Sequence, residues 1–342
     1  MPLNRTGTRI PHAETATDAA AGSRSRVCGV TAGRSRFVPD APPLASPVTS
    51  PLAVWLLDEP ECAPYARYLE HHPDATLFHS LAWRDALLAA GAGRPFYLAA
   101  MDSEHVVGVL PLFETENASG ERSLVSLPLS PAAGVLTDDG GARWLLQSRA
   151  LQLAESRGVA QVIVHEFCPR PADGWLAGPP EWARIHIDSL LSSDQGHLPP
   201  TAGETSAENA AWSPEIADVL TRNAPRGAGV DSSSVLSHFA ESSGKLRCAV
   251  ERRPDGRIAA AAAWTTCGTH AHVLACGPAY APAPTRRRLF LHISSLAGEE
   301  NADTLDFPFP ISPDFWFLRL LTEKGLEIAD TRRIVADQVA SI

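Results

Sequence analysis

The chain has 342 residues, a formal net charge of −10 at pH 7, and 44 % hydrophobic residues. This length accommodates two ordinary domains, and the hydrophobic content is sufficient for their cores. The acidic balance argues against broad nucleic-acid binding, although it is compatible with a small basic site.

The six cysteines form no CxxC pair and have no histidine spacing typical of zinc, so we expect reduced thiols, no metal site and a cytoplasmic protein. The longest apolar run, 258–264, is far shorter than the ~20 residues of a membrane-spanning helix. Residues 1–25 contain no apolar segment of the kind found in signal peptides. We therefore expect neither a membrane span nor a signal peptide.

In chain order, residues 1–51 are rich in Pro, Ser, Thr, Ala, Gly and Arg and are predicted to form a disordered leader. A first domain is predicted over 52–168. Residues 169–211 are polar and proline-rich, which predicts a linker with one strand at Ala183–Ile187. A second domain is predicted over 212–342.

Periodicity and turn signals predict the elements of each domain. The first domain is predicted to contain a helix (80–90), a strand hairpin (96–102 and 105–114), a third strand (122–129), a helix that begins at Ala142 after Gly140 and Gly141 and is capped by Gly158, and a buried strand (160–167). The second is predicted to contain two helices (213–223 and 231–244), a hairpin (245–252 and 257–264), a strand (270–277), a helix (285–298), a strand (304–309), a helix (315–325) and a last strand (327–336).

The order of hairpin, third strand, helix and strand therefore occurs twice. The offset between corresponding segments stays at roughly 145–150 residues, which indicates an internal duplication. The predicted fold class is α/β: two tandem domains, each with a mixed sheet flanked by helices.

Several motifs resemble the FemAB-like transferases and their BioF2-like relatives, which have two GNAT-like domains in tandem. ATLFHSLAWRDAL resembles the family's opening motif, and VVGVLPLF with SLVSLPLSPAAGVLTDD resembles its GxLPL strand and the strand end that follows. TLDFPFP places Asp306 where the family has Asp-Phe-Gly. The resemblance covers roughly residues 52–340.

The resemblance implies formation of an amide, with an aminoacyl group from charged tRNA or an acyl group from CoA passing to a small-molecule or peptide amine. The acceptor end of tRNA is thus an implied partner, and the donor is a co-substrate, with no permanently bound cofactor. The implied setting is natural-product or cell-envelope biosynthesis. Two further hypotheses stay open, a CoA-dependent GNAT N-acyltransferase and a degenerate, non-catalytic binding or scaffold protein.

The chain departs from the family in two places. The turn GPAYAPAPTRRR contains three prolines and no glycine after Gly277, so it has few backbone N–H groups to cradle a pyrophosphate. The family's last helix carries Phe-Lys before a glycine, whereas here Leu321–Thr322 hold that register and Lys324 lies two positions away. Lys324 is the candidate that replaces the family's lysine.

The arginine triplet Arg286, Arg287 and Arg288 opens a predicted helix, where the helix dipole disfavours positive charge. One interpretation is a solvated first turn. The other is that guanidinium groups bind the phosphates of the donor in place of the missing amide cradle.

Asp306 ends a predicted central strand, and it either caps the following turn or orients the acceptor amine as a catalytic carboxylate. The candidates for binding the substrate are His79, Trp83, Tyr97, Glu166 and Tyr280. For each of these five, packing in the core or at an element boundary is the alternative interpretation.

Overall fold

The computed structural model describes residues 52–57, 63–117, 119–130, 132–167, 176–188, 191, 207–221, 231–278, 281, 283–308 and 329–337. These residues belong to one compact unit, Thr49–Ile342. The predicted leader, the predicted helix at 315–325, Tyr280 and Lys324 lie outside the described residues.

The described residues form strands and helices in an α/β pattern. The strands are β1 (Ala53–Leu57), β2 (Arg94–Asp102), β3 (His105–Glu116), β4 (Arg122–Val125), β5 (Gln161–Phe167), β6 (Leu176–His186), β7 (Ala207–Ala210), β8 (Arg247–Arg252), β9 (Ile258–Cys267), β10 (His270–Gly277), β11 (Thr304–Pro308) and β12 (Ala329–Asp337). The α-helices are α1 (Ala63–His71), α2 (Leu81–Ala89), α3 (Gly140–Arg157), α4 (Pro214–Thr221), α5 (Ser232–Ser243) and α6 (Ala283–Glu299). A 3₁₀ turn, Leu77–His79, precedes α2.

The strands form one sheet in the order β1-β2-β3-β4-β5-β12-β6-β11-β10-β9-β8-β7. The pairs β4–β5 and β10–β11 are parallel, and the other pairs are antiparallel. Each half of the chain thus builds the same four-strand unit, β2-β3-β4-β5 and β8-β9-β10-β11, with one helix before its last strand. The predicted duplication is visible as this repeat.

The two halves exchange their last strands. Strand β6 follows the first unit in sequence but pairs with β11 of the second, whereas β12 follows the second unit and pairs with β5 of the first. Strands β6 and β12 also pair with each other. This exchange joins the two units into one continuous sheet.

The stretch predicted as a linker therefore contains two strands, β6 and β7. The prediction of a single strand at 183–187 was too short, because Pro179 and Pro180 indicated a loop. Pro180 lies beside a register shift between β6 and β12, an irregularity of the kind that accommodates proline in a sheet. The domain boundaries themselves stay a prediction.

Most other predicted elements agree with the structure to within a few residues. Strand β4 is shorter than predicted, ending at Val125. Leu127 and Leu129 have φ values of 58° and 56°, which are incompatible with an extended strand. Gly158 closes α3 in the left-handed conformation, as predicted. Strand β1 and helix α1 were not predicted.

The core is continuous between the halves. Trp83 of α2 packs edge-on against Phe239 of α5, with ring centroids 5.5 Å apart, and both side chains are buried. Phe78 also contacts His272 of β10. These contacts fix the 3₁₀ turn of the first half against the sheet of the second. Within the described residues, no helix is long and apolar enough to cross a membrane.

Candidate functional site

A cavity of about 170 Å³ lies where the end of β5, strand β6 and the loop before α3 meet. The polar side chains of its described lining are His72, Asp74, Thr76, His79, Thr137, Arg143, Glu166 and Arg184. Partly buried guanidinium groups and the buried carboxyl group of Glu166 thus meet in one small space.

Glu166 lies near the end of β5 and is buried. Its Oε2 accepts a hydrogen bond from Nη1 of Arg143 at 2.9 Å, and its Oε1 accepts one from the backbone N–H of Val135 at 3.3 Å. Burial raises the pKa of Glu166, and the nearby Arg143 only partly opposes this effect. Glu166 is therefore a carboxyl group that can take up a proton more readily than an exposed one.

Gly134 permits this close approach of the loop to β5. A Cβ atom at position 134 would lie 2.4 Å from Cγ of Glu166 and 2.6 Å from the backbone oxygen of His165. The glycine is thus required by close packing against Glu166.

Asp306 is fully buried on β11, directly opposite Arg184 of β6 in the register of the two strands. Arg184 donates from Nε to Oδ1 at 2.7 Å and from Nη2 to Oδ2 at 2.9 Å. Nδ1 of His272 lies 2.9 Å from Oδ2, close in distance but not aligned as a hydrogen bond. Burial alone would raise the pKa of Asp306, but Arg184 and His272 outweigh it and lower the pKa to about 2.

This geometry alters the interpretation of Asp306. Its two carboxylate oxygens face Arg184 and His272, and Asp306 is absent from the described lining of the cavity, whereas Arg184 is part of it. Asp306 thus holds the guanidinium group of Arg184 at the cavity wall. That Asp306 orients the acceptor amine stays a prediction.

His79 lines the cavity as a neutral side chain. The backbone N–H of Thr76 donates to its Nδ1 at 3.2 Å, which assigns the ring proton to Nε2, and Nε2 donates to the backbone oxygen of Gly134 at 3.2 Å. Burial lowers the pKa of His79 to about 4. Both ring nitrogens are engaged, so His79 shapes the wall and is poorly placed to act as a base.

His72, just after α1, was not singled out from the sequence. Its Nδ1 accepts a hydrogen bond from the backbone N–H of Asp74 at 3.2 Å, which assigns the proton to Nε2. The side chain is only 6 % exposed, and Nε2 has no hydrogen-bond partner among the described residues. An oxygen of the Asp138 carboxylate lies 3.8 Å from this Nε2, which is beyond hydrogen-bonding distance.

The other sequence candidates have mixed placements. Trp83 is a core residue whose Nε1 donates to Oγ of Ser130 at 2.6 Å. Tyr97 is buried against Tyr65 with ring centroids 5.4 Å apart, and burial raises its pKa. Neither Trp83 nor Tyr97 lines the cavity.

The arginine triplet lies on the first turns of α6 and does not line the cavity. Nη2 and Nε of Arg288 donate to the buried carboxylate of Glu251 at 2.6 and 3.2 Å. An internal carboxylate thus engages the guanidinium group that was predicted to bind phosphate. Arg286 and Arg287 are partly buried, and their role as phosphate ligands stays a prediction.

The cavity residues that the sequence did not indicate are His72, Arg143 and Arg184. Arg143 follows the Asp-Gly-Gly start of α3, but its partner Glu166 is 23 residues away. Arg184 is separated from Asp306 by 122 residues. Only the exchange of strands brings Arg184 and Asp306 together, and no local pattern reports it. Within the described residues, no group of three His, Cys, Asp or Glu side chains is arranged to hold a metal.

No model of a known family matches this sequence, and no curated protein matches it. Solved structures do match. FemX has a TM-score of 0.52 and 10 % identity, with 78 % of this chain and 94 % of FemX covered. A tandem GNAT protein from the clavulanic acid biosynthesis pathway, solved without AcCoA, has a TM-score of 0.54 and 15 % identity, with 84 % and 98 % covered. The predicted tandem GNAT fold is confirmed.

Proposed function

We propose that this tandem GNAT protein is an acyl or aminoacyl transferase that forms an amide on an amine acceptor, and that the acceptor enters the cavity beside Glu166. The observation that carries the proposal is the placement of Glu166: a buried carboxyl group with a raised pKa, at the wall of a cavity, paired with the guanidinium group of Arg143. Such a group is suited to accept a proton from an incoming ammonium ion.

The reaction requires two proton movements. The ammonium group of the acceptor first gives one proton to Glu166 and becomes a nucleophilic amine. Its lone pair attacks the carbonyl carbon of the donor, the C–N bond forms and the C–O bond of the ester breaks. The second nitrogen-bound proton goes to the departing oxygen. The positive charge of Arg143 beside Glu166 favours the negative charge that develops on the carbonyl oxygen.

An aminoacyl-tRNA is the donor that the sequence and geometry favour over acyl-CoA. At the start of α3, the carboxylate of Asp139 accepts a hydrogen bond from the backbone N–H of Ala142 at 2.7 Å, and the side chain of the neighbouring Asp138 is 87 % exposed. Two carboxylates at this helix start disfavour a pyrophosphate. Near the start of α6, Pro278, Pro282 and Pro284 have no backbone N–H to offer.

Acyl-CoA is the alternative donor, because the similar tandem GNAT structure is named with reference to AcCoA. In either case we propose Arg286 and Arg287 as phosphate ligands, whereas Arg288 pairs with Glu251. We propose a cytoplasmic location together with the aminoacyl-tRNA donor, because charged tRNA occurs in the cytoplasm. The non-catalytic scaffold stays the third candidate, since Leu321–Thr322 occupy the register of the family's Phe-Lys.

The donor can be identified with the full chain and a pool of tRNA charged with tritiated amino acids. Filter binding would measure retention of the charged tRNA by the protein, with increasing amounts of deacylated tRNA as the competitor. Calorimetry would measure the binding of CoA and of acetyl-CoA in separate titrations. Transfer would be followed as radioactivity that survives mild base, because an amide survives and the tRNA ester does not. The acceptors would be a mixed panel of amino acids, amino acid amides, amino sugars and diamines.

We expect preferential retention of charged tRNA, base-stable product with at least one amine, and no saturable heat with CoA. Saturable binding of CoA together with acyl transfer from acyl-CoA would favour the alternative donor. Absence of binding and of product with both donors would contradict the transferase and leave the scaffold hypothesis.

A further inference from the structure

His72 presents a hydrogen-bond donor that has no acceptor among the residues that the structure describes. Its Nε2 is buried, and the backbone N–H of Asp74 holds the ring in the tautomer that carries a proton on Nε2. A buried N–H without an acceptor is unfavourable, because it has lost its hydrogen bond to water. Because His72 lines the cavity, an oxygen atom of a bound molecule is the natural acceptor.

The described part of the cavity wall carries charged side chains of both signs: Arg143, Arg184, Glu166 and Asp74. Arg143 is paired with Glu166, and Arg184 is paired with Asp306 behind it. His79 is neutral at pH 7, since its pKa is lowered to about 4. A partly buried wall that already carries two carboxylates as well as two guanidinium groups disfavours an occupant with a large negative charge, because part of that charge would be desolvated without compensation. A phosphate dianion is therefore a poor match.

A zwitterion matches this wall better than a simple anion or a simple cation. Glu166 can receive an ammonium group, and the Nε2–H of His72 together with the guanidinium group of Arg184 can receive a carboxylate. The volume of about 170 Å³ suits the head of an amino acid rather than a whole coenzyme.

We propose that the molecule bound in this cavity is an α-amino acid, or the amino-acid end of a larger molecule, with its carboxylate on His72 and Arg184 and its amine beside Glu166. This proposal rests on the proposed transferase function in one respect: the bound amine is the acceptor of that reaction. The ligand class itself is tested by binding, without any donor.

The first experiment measures binding of a panel of L-amino acids to the full chain by calorimetry, each beside its primary amide, which keeps the amine and lacks the carboxylate. Acetate and inorganic phosphate complete the set of probes. We expect at least one amino acid to bind, with its amide at least tenfold weaker and with no saturable binding of phosphate. An amide that binds as tightly as its acid, or a panel in which none binds, would overturn the proposal, as would tight binding of phosphate alone.

The second experiment tests His72 directly. His72→Phe keeps a ring of similar size without the donor, whereas His72→Gln keeps an N–H at a similar reach. We expect the dissociation constant of the amino acid to rise about tenfold or more in His72→Phe, as for loss of a hydrogen bond to a charged group, and to recover largely in His72→Gln. Should His72→Phe not fold, His72→Gln and the amide comparison still decide the question.

Asp138→Asn is the matched control, because the Asp138 carboxylate lies 3.8 Å from Nε2 of His72 and is 87 % exposed. We expect unchanged binding of the amino acid. Two results together would contradict the proposal: weaker amino-acid binding in Asp138→Asn and unchanged binding in His72→Phe. They would mean that Nε2 of His72 interacts with Asp138 rather than with the bound molecule.

The two proposals fail separately. Base-stable product on an amine without a carboxylate would overturn the ligand class and leave the transferase intact. Amino-acid binding that depends on His72, with no transfer from any donor, would support the ligand class and contradict the transferase.

Discussion

Glu166 and Asp306 occupy equivalent strands, β5 and β11, in the two halves of the molecule, and both are buried carboxyl groups paired with an arginine. Asp306 receives two hydrogen bonds from Arg184 and a close contact from His272, which lower its pKa to about 2. Glu166 receives one from Arg143 and a longer one from a backbone N–H, and its pKa is raised. The number of hydrogen bonds from a guanidinium group thus helps to make one carboxyl a fixed anion and the other a group that can exchange a proton.

The largest expected effect is on folding and concerns Asp306. Asp306→Asn removes the charge partner of Arg184, and breaking a buried pair costs about 3–5 kcal/mol. Urea unfolding would measure this loss of stability. Asp303→Asn, at an exposed position on the same segment, should change stability by no more than about 0.5 kcal/mol. An Asp306→Asn protein with parental stability but no transfer would mean that Asp306 acts on the substrate itself.

The second effect is on turnover and concerns Glu166. Glu166→Gln keeps the shape of the side chain but removes the proton acceptor, so the rate of amide formation should fall by about 100-fold or more. The matched control is Glu114→Gln, because Glu114 is also a carboxylate with little exposure, paired with Arg122 and Arg157. We expect that variant to lose stability but to keep its rate. Equal losses of rate in both would indicate a general effect of removing ion pairs.

The third effect separates the two carboxyls by pH. Because the pKa of Asp306 is lowered to about 2 from 3.8, its stabilising contribution, about 2 kcal/mol, is complete above about pH 4 and is lost between about pH 4 and 2. The stability difference between the parent and Asp306→Asn should shrink over that window. A difference that stays constant down to pH 2 would contradict the lowered pKa.

The contribution of Glu166 to stability changes with pH in the opposite direction. Its pKa is raised above 4.5, so its contribution to stability is greatest at low pH and falls as the pH rises from 4.5 through the raised value. Measured by urea unfolding, the parent should lose stability relative to Glu166→Gln over that window. His79, with its pKa lowered to about 4, is present in both proteins and cancels. A stability difference between the parent and Glu166→Gln that does not change with pH would contradict the raised pKa of Glu166.

The smallest effect concerns the packing that holds Glu166. Gly134→Ala would place a Cβ 2.4 Å from Cγ of Glu166 and 2.6 Å from a backbone oxygen, which should cost about 1–3 kcal/mol and displace the carboxyl group. Gly140→Ala is the control, since a Cβ there has no neighbour within 4 Å among the described atoms. Thermal unfolding of both variants would test this, and equal stabilities would show that the loop relaxes freely.

Much of the fold could be predicted because its signals are local. Alternating apolar residues, the Gly158 cap and the repeated element order each report on neighbouring positions. The roles of Glu166 and Asp306 could not be separated in this way, because each depends on a cation from elsewhere in the chain. Arg184 in particular comes from a stretch whose prolines indicated a linker, and its contact with Asp306 exists only in the folded sheet.

The exchange of β6 and β12 has a consequence for biosynthesis of the chain. Strand β5 gains its partner β12 only after residues 168–328 have been translated, which at roughly 5–20 residues per second takes about 10–30 seconds. During that interval the first half cannot complete its sheet, and the edge of β5 is open to pairing with another nascent chain. Ribosomes spaced closely on one message would increase this hazard, so slower initiation should improve the yield of folded protein.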